Sequence, residues 1–278
     1  MIITNEFIML NLPKTGSSFA RSAIKLLYKN RFDKLSFPKK AAIRLKLREP
    51  LFKELFLPNI RIKGVDKGAD CHGTFTQIPD QYKQRDVFSI VRNPYERLIS
   101  GYEYKAWVRH PSIPKELVSK FPQFPELSLD EFIEMSKITV DNELKNGSKK
   151  TRIGFQSLQF IRMFFKNPED VLKNISDDYI DSDRYLDDIA NITFLRQENL
   201  REDIKNLLER HGFDLTELKM IDELKKVNET KNKSKNRNDL LTPKAINYIN
   251  EEERFILKVL RYKGIEYSCP KIDYSNVS

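Results

Sequence analysis

The chain has 278 residues, 40% of them hydrophobic, and a formal net charge of +9 at pH 7. That length and apolar content exclude wholesale disorder and suffice for one large α/β domain over residues 1–278. Two cysteines far apart exclude a disulfide framework, and no run approaches the roughly 20 apolar residues of a membrane-spanning helix.

The first apolar segment has neither a basic region before it nor a small-residue cleavage site after it. A cytoplasmic protein is therefore the expectation, and triplets such as Asn191-Ile192-Thr193 are expected to carry no glycan. Residues 7–12 form an apolar run of strand length that ends in Pro13-Lys14-Thr15-Gly16-Ser17-Ser18. Apolar positions at helical spacing follow, namely Phe19, Ala23, Ile24 and Leu27. Strand, turn and helix in this order aim backbone N–H groups, a helix N-terminus and a lysine at one anion.

From residue 25 to residue 48 nine basic side chains stand against one acid, Asp33. Such an excess either attracts an anionic partner or only keeps a helix face wet. The stretch 31–58, rich in lysine, leucine and proline, predicts one or two short basic helices bounded by Pro38, Pro50 and Pro58. Residues 59–65 alternate as a strand does, and the loop behind them carries Cys71-His72-Gly73. A second apolar strand, 87–91, runs into Arg92-Asn93-Pro94 and a helix from Tyr95 to about Val108. Prolines mark 111–125 as a surface loop.

Further on, the pattern predicts helices over 127–136 and 155–165, a strand over 189–195 and an amphipathic helix over 198–211 stopped by Gly212. The almost wholly polar stretch 225–239 predicts a loop. Thr242-Pro243 then starts a final helix over about 244–262. Strands alternating with helices imply a parallel β-sheet covered by helices on both faces, with ligands at the carboxyl ends of the strands. Both turns then open on one edge.

The nucleotide P-loop places its lysine after the second glycine and a magnesium-binding hydroxyl next. Here Lys14 precedes the only glycine of its turn, and the strands at 87–91 and 189–195 end in Arg92 and Arg196 where a metal-binding aspartate would stand. These turns suit anions neutralised by cations and N–H groups, with no metal.

Residues 13–18 resemble the 5′-phosphosulfate-binding loop of sulfotransferases that use 3′-phosphoadenosine 5′-phosphosulfate (PAPS). Arg92-Asn93-Pro94-Tyr95-Glu96-Arg97-Leu98-Ile99-Ser100-Gly101-Tyr102 resembles their 3′-phosphate-binding motif, closest to the carbohydrate sulfotransferases. More weakly, Thr193 to Leu200, Phe155-Gln156-Ser157, Asn228-Glu229-Thr230 and Lys263 to Tyr267 are similar to later segments of that family.

The resemblance implies a P-loop NTPase-like sheet, PAPS as co-substrate, no metal, and sulfuryl transfer to a hydroxyl of a carbohydrate or glycoconjugate. Lys14 is then a catalytic residue at the bridging oxygen, and Lys14, Thr15, Gly16, Ser17 and Ser18 bind the phosphosulfate. Arg92 and Ser100 read the 3′-phosphate. His72 matches a base position in some carbohydrate sulfotransferases and is the candidate general base, its alternative being a packing role. His110 and His211 have weaker cases. Tyr102, Tyr104 and Trp107 line an acceptor site or belong to the core, and Asn228, Thr230 and Lys231 fold over the donor or sit in a plain connector.

The rival readings are a P-loop-type phosphotransferase and a basic nucleotide- or nucleic-acid-binding module. No zinc pattern, aromatic RNA motif or helix-turn-helix supports the second, so no nucleic-acid partner is expected. The positive charge suits an anionic acceptor as well as the anionic donor.

Overall fold

Phe7–Leu10 shows in four residues how the fold is layered, because alternate side chains point to opposite faces of a strand. Phe7 and Met9 pack into one hydrophobic core, Ile8 and Leu10 into another, and all four are fully buried. A computed structural model describes residues 1–61, 68–109, 118–144, 152–225 and 240–270.

The strands are β1 (Ile2–Thr4), β2 (Phe7–Leu10), β3 (Phe52–Glu54), β4 (Leu57–Pro58), β5 (Ala69–Asp70), β6 (Asp86–Val91) and β7 (Thr193–Arg196). Five of them form one sheet in the order β3-β1-β2-β6-β7, and β4 pairs with β5 separately. Strands β2, β6 and β7 are parallel neighbours, in register Leu10 to Ser89 and Val91 to Arg196. Only β1 runs against the rest, since it pairs antiparallel with both β2 and β3. On one face lie α1 (Ser17–Asp33) and the helix Leu200–Arg210, on the other the helices Phe155–Phe164 and Arg254–Tyr262. This is the expected α/β sheet with helices on both faces. Two more helices precede and follow the centre, α2 (Phe37–Arg44) and α3 (Pro94–Tyr104).

Several sequence-based boundaries change. The basic stretch 31–58 holds the end of α1, then α2, and then the edge strand β3, which the lysine and proline content hid. Of the expected strand over 59–65, residues 59–61 are not strand but follow the two-residue strand Leu57–Pro58, and residues 62–67 lie outside the described residues. The single final helix is two, Pro243–Glu252 and Arg254–Tyr262, broken at Glu253.

The break has a chemical reason. Helix Phe155–Phe164 starts at Gly154 with no side-chain cap of its own. Glu253, fully buried, accepts instead from the Gln156 and Ser157 amides at 2.8 and 2.7 Å, from the Ser157 hydroxyl at 2.7 Å and from Tyr248 at 3.0 Å. Burial pushes its carboxyl above the usual range, and those donors pull it back. Turning the chain at Glu253 delivers this remote cap to amides that need an acceptor.

Gly154 is glycine because a Cβ there would overlap the Glu253 carboxylate and meet the Tyr248 hydroxyl at 2.7 Å. Gly154→Ala should therefore lower stability by about 1–3 kcal/mol, the usual cost of overpacking. A denaturant titration checks this, and a midpoint equal to the wild type's would remove Glu253 from its capping role.

Candidate active site

Helix α1 begins without a side-chain cap, unlike several other helices of the chain. Ser128, Asp214 and Thr242 each accept from a first-turn amide of the helix they precede. Gly16, at the N-cap of α1, has a left-handed φ of 80°, brings no side-chain cap, and no acid follows in the first turn. The 17-residue helix thus starts with neither a side-chain cap from Gly16 nor an acid to offset its positive end. A Cβ on Gly16 would meet Gln197 Cγ at 3.1 Å and Leu200 Cδ2 at 3.2 Å, so the turn sits tight against the start of the helix Leu200–Arg210.

Lys14 adopts a left-handed φ of 67°, a conformation that costs a non-glycine residue about 1–3 kcal/mol and persists only under constraint. The constraint is visible on both sides. Thr15 Oγ1 donates to the Leu12 carbonyl at 2.8 Å, and Arg97 Nε donates to the Pro13 carbonyl at 3.1 Å. With its hydroxyl spent inside the turn, Thr15 is fully buried. The Lys14 ammonium lies 4.1 Å from the Tyr104 ring centroid, held over an aromatic face.

The second turn leaves β6 one strand away, where Ser89 Oγ donates to the Leu10 carbonyl at 2.7 Å and clasps the two strand ends. Arg92 Nη2 pairs with Glu96 at 2.9 Å, one helical turn on. Both contacting nitrogens of Arg92, Nε and Nη2, share the single oxygen Oε2, which leaves Nη1 with no hydrogen-bond partner among the described residues. Asn93 caps α3 by accepting from the Tyr95 amide, and its own amide donates to Glu198 Oε1 at 2.8 Å. Ser100 is buried on α3, with no hydrogen bond from its hydroxyl among the described residues.

Arg97 joins the two turns. From α3 it reaches the Pro13 carbonyl, Gln159 Oε1 at 2.8 Å and Gln156 Oε1 at 3.4 Å, and Gln156 Nε2 returns to the Pro94 carbonyl at 2.9 Å. Burial lowers its pKa to about 10, still charged at neutral pH. Sequence reasoning missed this role. The available signal was an arginine between the apolar Tyr95 and Leu98, matched by two glutamines in a largely aromatic and apolar helix.

His72 reaches the same edge. Its Nδ1 lies 2.6 Å from the carbonyl oxygen of Asn11, three residues before Lys14. A carbonyl only accepts, so Nδ1 carries the proton and Nε2 keeps its lone pair. The loop is fixed by Asp70, which accepts the His72 amide at 2.7 Å and pairs with Arg61, and by Asn11 Nδ2, which donates to the Cys71 carbonyl at 2.7 Å. Burial, and after it the Arg61 charge, lowers the His72 pKa to about 4.

The structure therefore brings Lys14, Thr15, Gly16, Ser17, Ser18 and His72 to the end of β2 and Arg92 to the neighbouring β6–α3 turn, with Ser100 further along α3. Trp107 is core, donating to the Pro125 carbonyl at 2.8 Å, and Tyr102 stacks with it and with Phe132. Tyr104 alone of the three aromatics touches the site. His211 sits against Phe7 and 3.7 Å from Asp86, at the opposite end of the strands. His110, residues 111–117 of the proline-rich loop, and Asn228, Thr230 and Lys231 lie outside the described residues. Among the described residues no group of His, Cys, Asp and Glu is arranged to hold a metal, and no helix is long and apolar enough to cross a membrane.

A protein-family model described as the sulfotransferase family matches residues 2–254. Neither a curated protein nor a solved structure matches the chain.

Proposed function

The chain belongs to the sulfotransferase family, and from that premise we propose which of its residues carry the transfer and what accepts the group. As a member, it is a PAPS-dependent sulfotransferase. We assign its acceptor as a hydroxyl of a carbohydrate or glycoconjugate, a reading supported by the string from Arg92 to Tyr102. All 278 residues are taken as one domain built around the two turns. Two free thiols, Cys71 and Cys269, support a reducing, cytoplasmic setting.

In this reading the acceptor oxygen attacks sulfur as the bond from sulfur to the bridging oxygen breaks. His72 Nε2 takes the acceptor proton, and Lys14 meets the charge that grows on the leaving oxygen. The amides of Gly16, Ser17 and Ser18 hold the 5′-phosphate, and Arg92 with Ser100 holds the 3′-phosphate. The observation that carries the assignment is the uncapped, acid-free start of α1 beside Lys14, one strand from the open Nη1 of Arg92.

Calorimetry with 3′-phosphoadenosine 5′-phosphate against ADP-magnesium tests it. Tighter binding of the first is expected, and Arg92→Ala should weaken that binding about 10- to 100-fold, the worth of hydrogen bonds to a charged group, with ADP affinity unchanged. Preference for ADP-magnesium would transfer the site to phosphoryl chemistry.

A further inference from the structure

The basic run divides at Asp33 into two parts that the structure uses differently. Before it, two of the three cations serve the fold. Lys25 pairs with Glu54 on β3, as does Arg21 just upstream of the run, and Arg31 pairs with Glu217 at 3.1 Å while stacking over Phe213. After it, Lys34, Lys39, Lys40, Arg44, Lys46 and Arg48 have no carboxylate partner among the described residues. Helix α2, which carries three of them, has no buried residue at all.

Among these cations stand the most exposed large apolar side chains of the described residues, Phe37 at 82%, Leu47 at 76% and Leu45 at 70%. Scattered exposed large apolar side chains need no explanation, but three within eleven positions, set among six cations with no carboxylate partner among the described residues, make a patch with one chemistry. Phe37 and Leu45, eight residues apart, fall on one side of the helical turn they bracket.

The patch also has a definite place. Helix α1 starts at the donor turn and runs 17 residues, about 25 Å, before the segment begins. The segment rejoins the fold at Phe52, opposite Thr4, the end of β1 that adjoins the start of β2. It therefore leaves and returns at the end of the sheet away from Lys14 and Arg92.

We propose that residues 34–48 dock this protein on an anionic lipid bilayer, with Phe37, Leu45 and Leu47 entering the headgroup boundary and the six cations facing lipid phosphates. Anionic charge alone would suit a nucleic acid equally. Exposed leucines do not stack on bases, whereas a bilayer surface rewards apolar insertion and cationic attraction together. Docked this way, both phosphate-binding turns stay open to solvent.

Vesicle flotation of the full chain tests the proposal. Recovery with phosphatidylcholine–phosphatidylglycerol vesicles, weakening as salt is raised, and no recovery with phosphatidylcholine alone is the expected result. The triple variant K39E/K46E/R48E should lose about fivefold or more in vesicle affinity per cation changed. F37S/L45S/L47S should lose at least about tenfold by loss of apolar burial. All six positions are exposed, so both variants should fold and bind 3′-phosphoadenosine 5′-phosphate as the wild type does, which keeps this test independent of the assigned activity. Equal recovery with both vesicle types, or full binding by the serine variant, overturns the proposal. So does binding of polyuridylate that the glutamate variant loses and the serine variant keeps, which would assign the patch to nucleic acid. Sedimentation as a dimer that the serine variant dissolves would assign it to a second copy of the chain.

Discussion

Lys14→Ala should lower turnover by about 10²–10³ while 3′-phosphoadenosine 5′-phosphate binds within a few-fold of its wild-type affinity. The asymmetry follows from where the charge changes. In the proposed arrangement the bound phosphates are already held by helix amides and by Arg92, and the ammonium would act most strongly on negative charge that appears only as the sulfur–oxygen bond breaks. The backbone complicates a simple alanine test, because Lys14 sits at a φ of 67° that alanine also resists. Lys14→Gly separates the two effects. Glycine accepts that φ freely, so the glycine variant should fold at least as stably as the alanine variant and still lose the same turnover. Recovery of activity in Lys14→Gly would show that the turn's shape, not the amine, had been lost. Lys14→Arg keeps a cation but places it on a longer, planar group, and the turn is pinned on both sides by Thr15 and Arg97. It should recover only part of the rate. Single-turnover measurements with saturating donor check all three.

The two turns were legible because each joins an apolar run to a helix through residues with few other uses, Pro-Lys-Thr-Gly-Ser-Ser and Arg-Asn-Pro. Local sequence carries that kind of signal. What joins the turns was not legible, because it lies in pairs separated by long stretches of chain. Arg97 meets Pro13 across 84 positions, and Glu253 caps a helix 96 positions earlier. Edge strand β3 was hidden for a related reason. Its three residues include Lys53 and Glu54, whose charges read as helix or loop until Glu54 is seen pairing with Arg21 and Lys25 of α1. The division of the basic run at Asp33 is likewise a fact about partners, which the run itself does not contain.

For His72→Gln the expected loss is about 10²–10⁴ in turnover, the usual worth of a positioned base, with donor affinity retained. Glutamine keeps a polar group of similar reach, so the loss would measure the base and not a gap in the loop. The pH dependence is the sharper readout. With its pKa lowered to about 4, first by burial and then by Arg61, His72 is neutral through the physiological range, and its lone pair on Nε2 is lost only as pH falls through about 4. The acid limb of kcat/KM, which reports the free enzyme, should lie there and vanish in the variant. In the donor complex the nearby phosphate charge favours the protonated ring, so the acid limb of kcat should lie at higher pH. Stability follows with a fixed sign. Because the folded value of about 4 lies below the ordinary 6.5, the unfolded chain binds the extra proton first. The contribution from neutral His72 is complete above pH 6.5 and drains away as pH falls through about 4, so the glutamine variant should lose less stability than the wild type across that window. Unchanged turnover in His72→Gln would return the residue to a packing role. An acid limb at 6.5 in wild-type kcat/KM would mean that the group taking the proton is exposed, unlike the ring hydrogen-bonded to Asn11.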